Sequence, residues 1–186
     1  MGCILLAGCG WWSSTSELDA RIFDGYSIQI DSTYTEVSPA LVENKQLLNK
    51  VVKSFKLPSE EANAFEPNII ISRSDLPPSL DFDQFWTLNA QKLGTMLAGY
   101  TPGEKELLSF DCNGSVVQWI WVTFSVQDPW YKTAPQVWLA QYQFVDKQKW
   151  YIISAAFLTQ KEQAAFRDVI ETIKCVEAVI GTGQNN

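Results

Sequence analysis

The sequence predicts an α+β domain in which helices flank an antiparallel sheet. Residues 104–158 have the pattern of consecutive strands, and the dipeptide Asn113-Gly114 is a strong signal for a hairpin turn between two of them. Amphipathic helices begin near Asp81, before this stretch, and near Thr159, after it. Because each helix has one apolar face, each needs a sheet surface to cover.

The strands are predicted from alternating hydrophobicity and from the turn residues that bound them. A short helix is also expected over residues 39–50, with Pro39 in its first turn. In the strand that begins at Gln136, alternate residues from Trp138 to Phe144 are apolar. Gln141 and Gln143 lie on the opposite face, so we expect one buried face and one hydrated face. The predicted strands are residues 23–30, 51–57, 68–72, 106–111, 115–126, 136–146 and 150–157.

Both predicted helices start with a capping signal. Asp81 is followed three residues later by Gln84, and Thr159 is followed three residues later by Glu162. The carboxylates of Asp81 and its neighbour Asp83 suit a helix start, which indicates a structural role for them. The apolar stripe of the second helix consists of Ala165, Phe166, Val169, Ile170 and Ile173.

Composition limits the possible functions. A chain of 186 residues suits one domain, and 13% aromatic residues predict a ring-rich core. A net charge of −7 without a cluster of Lys or Arg argues against a nucleic-acid partner. The chain has no histidine, which excludes His-based triads and His metal sites. No catalytic, metal-binding or cofactor-binding motif stands out, so we expect a non-enzymatic protein without a cofactor.

The amino terminus carries a lipobox, Leu5-Leu6-Ala7-Gly8-Cys9. It is similar to the signal of bacterial lipoproteins, in which the cysteine is lipidated and becomes the first residue. Residues 1–8 would be the remnant of a longer export signal, because they lack its basic segment. Residues 9–21 would be a Ser/Thr-rich tether to the membrane. The alternative is an apolar terminus with an incidental cysteine.

Lipidation of Cys9 would place the domain in the cell envelope. Two or three acyl chains, at about 0.8 kcal/mol per buried methylene, give a stable membrane anchor. The rest of the chain would then face the extracytoplasmic side.

Cys112 and Cys175 are the cysteines that remain after Cys3 and Cys9. In an exported protein they could form a disulfide, which would close a loop of about 64 residues and contribute roughly 4 kcal/mol. The alternative is a pair of separate buried thiols, because sequence alone does not bring their Cα atoms together.

The order of elements resembles the PsbP/Mog superfamily, which includes DcrB-type bacterial lipoproteins. The most similar segments are 23–28 and 149–153, followed by Phe166, Ile170 and Ile173, and the resemblance covers residues 22–175. It implies an α/β/α sandwich around an antiparallel sheet, and a binding module with a protein partner rather than an enzyme. Residues 176–186 would be a C-terminal tail, which is polar over 181–186.

Aromatic residues supply the candidate binding sites. Trp130 and Tyr131 lie on a predicted loop, where they suit a partner-binding surface, unless they fold back onto the sheet edge. Trp86, Trp119 and Trp121 could line a small-ligand pocket between helix and sheet, which would make the protein a ligand carrier. Trp119 and Trp121 lie on a strand that is apolar on both faces, so simple core packing is the alternative.

Overall fold

A computed structural model describes residues 17–38, 50–58, 65–77, 79–97, 99–127 and 136–176. These residues form ten strands and two helices, and neither helix is long and apolar enough to cross a membrane. The helix predicted over 39–50 lies outside the described residues except for Lys50, which begins a strand. The elements are β1 (Leu18–Phe23), β2 (Tyr26–Asp31), β3 (Thr35–Val37), β4 (Lys50–Lys56), β5 (Asn68–Asp75), α1 (Phe82–Met96), β6 (Thr101–Cys112), β7 (Ser115–Val126), β8 (Val137–Asp146), β9 (Lys149–Phe157), α2 (Gln160–Ile170) and β10 (Lys174–Cys175).

The larger sheet has seven strands in the order β3-β4-β5-β9-β8-β7-β6, and every neighbouring pair is antiparallel. The predicted meander from β6 to β9 is confirmed. Asn113 and Gly114 have φ angles of 52° and 82°, as the two-residue hairpin predicted there requires. Lys147 and Gln148 also have positive φ, at 49° and 65°, which closes the β8–β9 hairpin in the same way.

Both helix starts are confirmed. The Asp81 side chain accepts from the Gln84 N–H, and the Gln84 side chain accepts from the Asp81 N–H. Thr159 and Glu162 form the equivalent reciprocal pair at the start of α2. These local contacts satisfy backbone donors that the first helical turn leaves free, so each helix begins where the sequence indicates.

A second sheet, in the order β1-β2-β10, was not predicted. It shows that the predicted tether of residues 9–21 is too long, because Leu18–Phe23 is a strand paired with β2. The hydrophobic pattern of β1 is reversed, which hides it in the sequence. Asp19 and Arg21 are half-buried whereas Leu18 and Ile22 are 46% and 59% exposed. The Arg21 guanidinium binds Asp19 and lies 5.8 Å from the centre of the Phe55 ring.

The two faces of the larger sheet carry different layers. The core face contains Ala140, Tyr142 and Phe144, and it packs against α2 and against the apolar side of β2. The second face contains Ile120 and Val122, on which α1 packs. Helices therefore lie on both faces of the larger sheet, but a small sheet shares the core face with α2, so the simple α/β/α sandwich implied by the resemblance is not confirmed.

The prediction of a hydrated face on β8 is wrong at Gln143. This residue is fully buried, at 0% exposure. Its amide donates to the Gln141 Oε1 at 2.8 Å, and its Oε1 accepts from the Trp150 Nε1 at 3.2 Å. Its cross-strand neighbours are Ile120 and Ile152, so two large apolar side chains cover it from either side.

Candidate functional site

The three tryptophans proposed as one pocket lie on opposite faces of the larger sheet. Trp86 packs on the second face against Ile120 and Val122. Trp119 and Trp121 lie in the core cluster on the other face. Because side chains alternate along β7, the positions that meet α1 are not those of Trp119 and Trp121. The predicted pocket therefore does not form as a single site.

Trp119 and Trp121 differ in their surroundings. The Trp119 ring lies 4.3 Å from the ring of Tyr142, and its position is that of a core side chain. Trp121 is 2% exposed and its ring centre lies 6.3 Å from that of Phe166 in α2, but it also lines a cleft. Trp119 is therefore a core residue, as the packing alternative predicts. Trp121 is a core residue that also contacts the cleft.

This cleft, called the α2 cleft below, lies between α2 and the sheet and has a volume of about 290 Å³. Its floor is formed by β7 and β8 on the core face, one wall by α2, and the other wall by residues 101–104 of β6. The side chains that matter for its chemistry are Trp121, Ser125, Gln136, Trp138, Gln163 and Glu104.

Gln163 is a polar residue on the buried side of α2. It is only 4% exposed, and its amide nitrogen donates to the backbone carbonyls of Phe124 and Leu139. Phe124 and Leu139 face each other across β7 and β8, so Gln163 attaches α2 to both strands. Its side-chain oxygen has no hydrogen-bond partner among the described residues, and the side chain borders the α2 cleft.

Ser125 is a second buried polar group in the cleft. It is 2% exposed, and its Oγ accepts a hydrogen bond from the Gln136 amide. No hydrogen bond from the Ser125 hydroxyl proton is formed within the described part of the chain. Serine and glutamine can each both donate and accept hydrogen bonds, so the lining is uncharged but polar at these positions.

The β6 wall approaches β7 unusually closely at Gly103. A Cβ at this position would meet the Thr123 Oγ1 and carbonyl oxygen. The register between β6 and β7 shifts between Pro102 and Lys105, and the Glu104 N–H donates to Thr123 Oγ1 at 2.7 Å. Glycine is thus required for the bulge that brings the backbone of residues 101–104 to the edge of the cleft.

Charges at the cleft are mostly paired. Arg167 binds Glu106 at 2.7 Å and Glu171 at 3.1 Å. The hydrogen bond to Glu106, followed by that to Glu171, raises the pKa of Arg167 above its ordinary value. The Glu104 side chain makes no ion pair with another described residue. An anion entering the cleft would therefore meet a carboxylate and a cation that already has two partners.

Sequence reasoning missed Gln163, Ser125 and Gln136. One signal could have identified Gln163, because it lies three residues before Phe166 and therefore on the same face of α2 as the apolar stripe. Ser125 and Gln136 have no comparable signal, since only the pairing of β7 with β8 brings them together.

Cys112 and Cys175 form a disulfide, with their Cα atoms 5.4 Å apart. The bond joins the end of β6 to β10, so it links the edge of the larger sheet to the smaller sheet. Cys9, Trp130 and Tyr131 lie outside the described residues and stay predictions. Within the described ranges, no three His, Cys, Asp or Glu side chains are grouped so that they could hold a metal ion.

Comparison with solved structures identifies the fold. Cyanobacterial PsbP (CyanoP) from Synechocystis sp. PCC 6803 matches with a TM-score of 0.53 at 12% identity, over 91% of this chain and 98% of that protein. The Saccharomyces cerevisiae Ran-binding protein Mog1p matches with a TM-score of 0.53 at 8% identity, over 87% of this chain and 97% of that protein. The chain has the PsbP/Mog1p fold. The fold that the sequence resemblance implied is thereby confirmed in its antiparallel sheet and topology, although not in its α/β/α layering.

A third structure is more distant. PA94 from Pseudomonas aeruginosa, a protein of unknown function described as a candidate regulator, matches with a TM-score of 0.48 at 12% identity, over 83% of this chain and 91% of that protein. No protein-family model matches the sequence, and no curated protein matches it.

Proposed function

We propose that this chain is a non-enzymatic lipoprotein of the cell envelope, anchored through lipid on Cys9, whose domain binds a protein partner. The observation that carries the partner-binding part is a groove on the second face, lined by both apolar and polar surface, that no other described residue covers. Phe82 at the start of α1, Val116 of β7 and Val145 of β8 line this groove together with Gln118. Val116 is 73% exposed, although it lies on a strand face that is otherwise buried at Ile120 and Val122.

An exposed apolar side chain beside a groove of about 350 Å³ is a suitable contact for a protein surface. The neighbouring β6–β7 hairpin tip adds exposed backbone at Asn113 and Gly114. Trp130 and Tyr131 remain a second candidate contact in this proposal. The fold is shared with Mog1p, which is a Ran-binding protein, and this supports the capacity of such a fold to present a protein-binding surface.

The disulfide supports the envelope location. Cys112 and Cys175 would be kept reduced in most cytoplasms, whereas exported proteins form and keep such bonds. Together with the lipobox ending at Cys9, the disulfide favours a domain that faces an oxidising compartment.

The lipid anchor is tested by labelling. The full-length gene with its native upstream sequence is expressed in bacteria fed labelled palmitate, beside Cys9→Ser. We expect label and membrane fractionation for the wild type and neither for Cys9→Ser. Cys3→Ser is the matched control and should be labelled like the wild type. Equal labelling of Cys9→Ser and wild type would contradict lipidation at Cys9.

Partner binding is tested by cross-linking in intact cells and then by rebinding of the purified partner. Variants Val116→Ser and Trp130→Ala/Tyr131→Ala are compared with Ile22→Ser, which changes a 59% exposed side chain of the other sheet. We expect Val116→Ser to weaken rebinding about tenfold, as for a residue near an interface centre. If a purified partner binds both variants as tightly as wild type, the proposed contacts are wrong.

A further inference from the structure

The α2 cleft holds two nearly buried polar groups whose hydrogen-bonding capacity is unused. The Gln163 side-chain oxygen can accept, and the Ser125 hydroxyl proton can be donated, but neither finds a partner among the described residues. The two side chains are 4% and 2% exposed. The Gln163 oxygen is not a fully buried atom, so it is open to the cleft, where a ligand could donate a hydrogen bond to it in place of water.

The unused groups are a donor and an acceptor without charge. The Gln136 side chain is exposed at the same cleft, and its oxygen is a further acceptor. A ligand hydroxyl can donate to one of these amide oxygens while it accepts from Ser125. The arrangement therefore matches a ligand with several neighbouring hydroxyl groups.

The rest of the cleft is apolar and aromatic. Trp138 is half-buried on the cleft floor, and Trp121 is a second aromatic lining residue. A sugar ring has such a dual character, because its hydroxyl groups project from the rim while its C–H groups form an apolar face. The ring could pack that face on an indole while the rim bonds to Ser125 and Gln163.

The charges that line the cleft and the volume of the cleft limit the class of ligand further. Arg167 is occupied by Glu106 and Glu171, and Glu104 adds an unpaired carboxylate, so phosphate or carboxylate ligands are disfavoured. The volume of about 290 Å³ is at the small end of ligand pockets. An extended peptide advances about 3.3 Å per residue and would need a longer open groove.

We infer that the α2 cleft is a binding site for one neutral sugar ring of a glycan. Trp138 and Trp121 supply the apolar surface, and Ser125, Gln136 and Gln163 supply the hydrogen bonds. This site lies on the face of the sheet opposite the groove at Val116, so it does not depend on the proposed protein partner or on the lipid anchor.

The test uses the full-length chain with Cys9→Ser, which needs no detergent. Glucose, N-acetylglucosamine and maltose are titrated as probes, with glucose 6-phosphate as an anionic comparison, and binding is followed by NMR chemical shifts. For a single ring we expect a Kd on the order of 1 mM for at least one neutral sugar. Glucose 6-phosphate should bind more weakly than glucose.

Two substitutions assign the site. Trp138→Ala should weaken binding at least about tenfold through loss of the aromatic surface. Gln136→Ala removes an exposed side chain together with its hydrogen bond to Ser125, and should weaken binding about threefold to tenfold. Val116→Ser is the matched control on the other face and should bind like the wild type.

The inference is overturned by any of three results. The first is that none of the neutral sugars binds saturably below about 20 mM, a limit about twentyfold above the expected Kd. The second is equal binding by wild type and Gln136→Ala, and the third is tighter binding of glucose 6-phosphate than of glucose. If Trp138→Ala does not fold, Gln136→Ala alone decides the location of the site.

Discussion

The hydroxyl of Tyr26 donates a hydrogen bond to the Asp146 carboxylate at 2.6 Å, and so joins residues 120 positions apart. Tyr26 belongs to the smaller sheet and Asp146 ends β8 of the larger one. Burial, followed by this hydrogen bond, raises the pKa of Tyr26 well above its ordinary value. The Tyr26 ring also packs edge-on against Phe144 and Tyr151, so one side chain connects the two sheets by both polar and apolar contacts.

Tyr26→Phe should lower the free energy of unfolding by about 1.5–3 kcal/mol, the range for hydrogen bonds to charged groups. The ring contacts remain, so only the hydroxyl contribution is lost. Tyr34→Phe is the matched control, because Tyr34 is also buried but its hydroxyl forms no hydrogen bond with another described residue. Denaturant unfolding at pH 7 measures both, and equal losses would contradict a specific role for the Tyr26–Asp146 bond.

Removal of the disulfide by Cys112→Ala/Cys175→Ala should cost about 4 kcal/mol, because the bond closes a loop with a sequence separation of 63 residues. Reductant should destabilise the wild type by a similar amount and leave the double variant unchanged. Thermal unfolding with and without reductant measures both effects. A wild type that unfolds at the same midpoint in both conditions would show that the bond does not stabilise the fold.

The protein should lose stability in alkaline solution. Burial, with smaller contributions from the charges of Glu162 and Asp31, raises the pKa of Tyr34 to about 12. Below the unfolded-state pKa of about 10, the tyrosine is neutral in both states and its contribution is complete. Between about pH 10 and 12 the unfolded chain loses the proton first, so stability falls by about 1.4 kcal/mol per pH unit for each such tyrosine.

Tyr34→Phe should therefore reduce the slope of stability against pH by about 1.4 kcal/mol per pH unit above pH 10. Urea unfolding at intervals from about pH 9.5 to 11.5, which spans the unfolded-state pKa, measures the slope. Burial also raises the pKa of Tyr142, so the slope should not fall to zero in this variant. Parallel curves for the variant and the wild type would contradict the assignment to Tyr34.

Gly103→Ala should destabilise the protein by about 1–3 kcal/mol, because the new Cβ would collide with Thr123 across the bulge. Gly94→Ala in α1 is the contrasting control. Its Cβ would meet only the Tyr100 ring at 3.8 Å, and alanine favours the helix by about 0.5–1 kcal/mol. The two substitutions should shift the thermal midpoint in opposite directions, and a shift in the same direction would refute the close approach at Gly103.

Much of the local structure was predictable. The capping pairs at Asp81 and Thr159 and the hairpin at Asn113-Gly114 depend on residues within a few positions of each other, and all three are confirmed. The candidate site was not predictable in the same way. Gln163 meets carbonyls on two strands, and its partners are 39 and 24 residues away in the chain.

The sequence by itself determined the order of the meander strands and of the helices before and after them. Helix capping, turn geometry and alternating hydrophobicity all act over a few residues. Only the tertiary structure decided which faces meet. It placed Trp86 and Trp121 on opposite sides of one sheet, joined Cys112 to Cys175, and moved residues 18–21 from a predicted tether into a strand. Each of these features depends on contacts between segments that are distant in the chain. Burial of the whole core, rather than the local sequence pattern, decides which strands pair and which face of the sheet a helix covers.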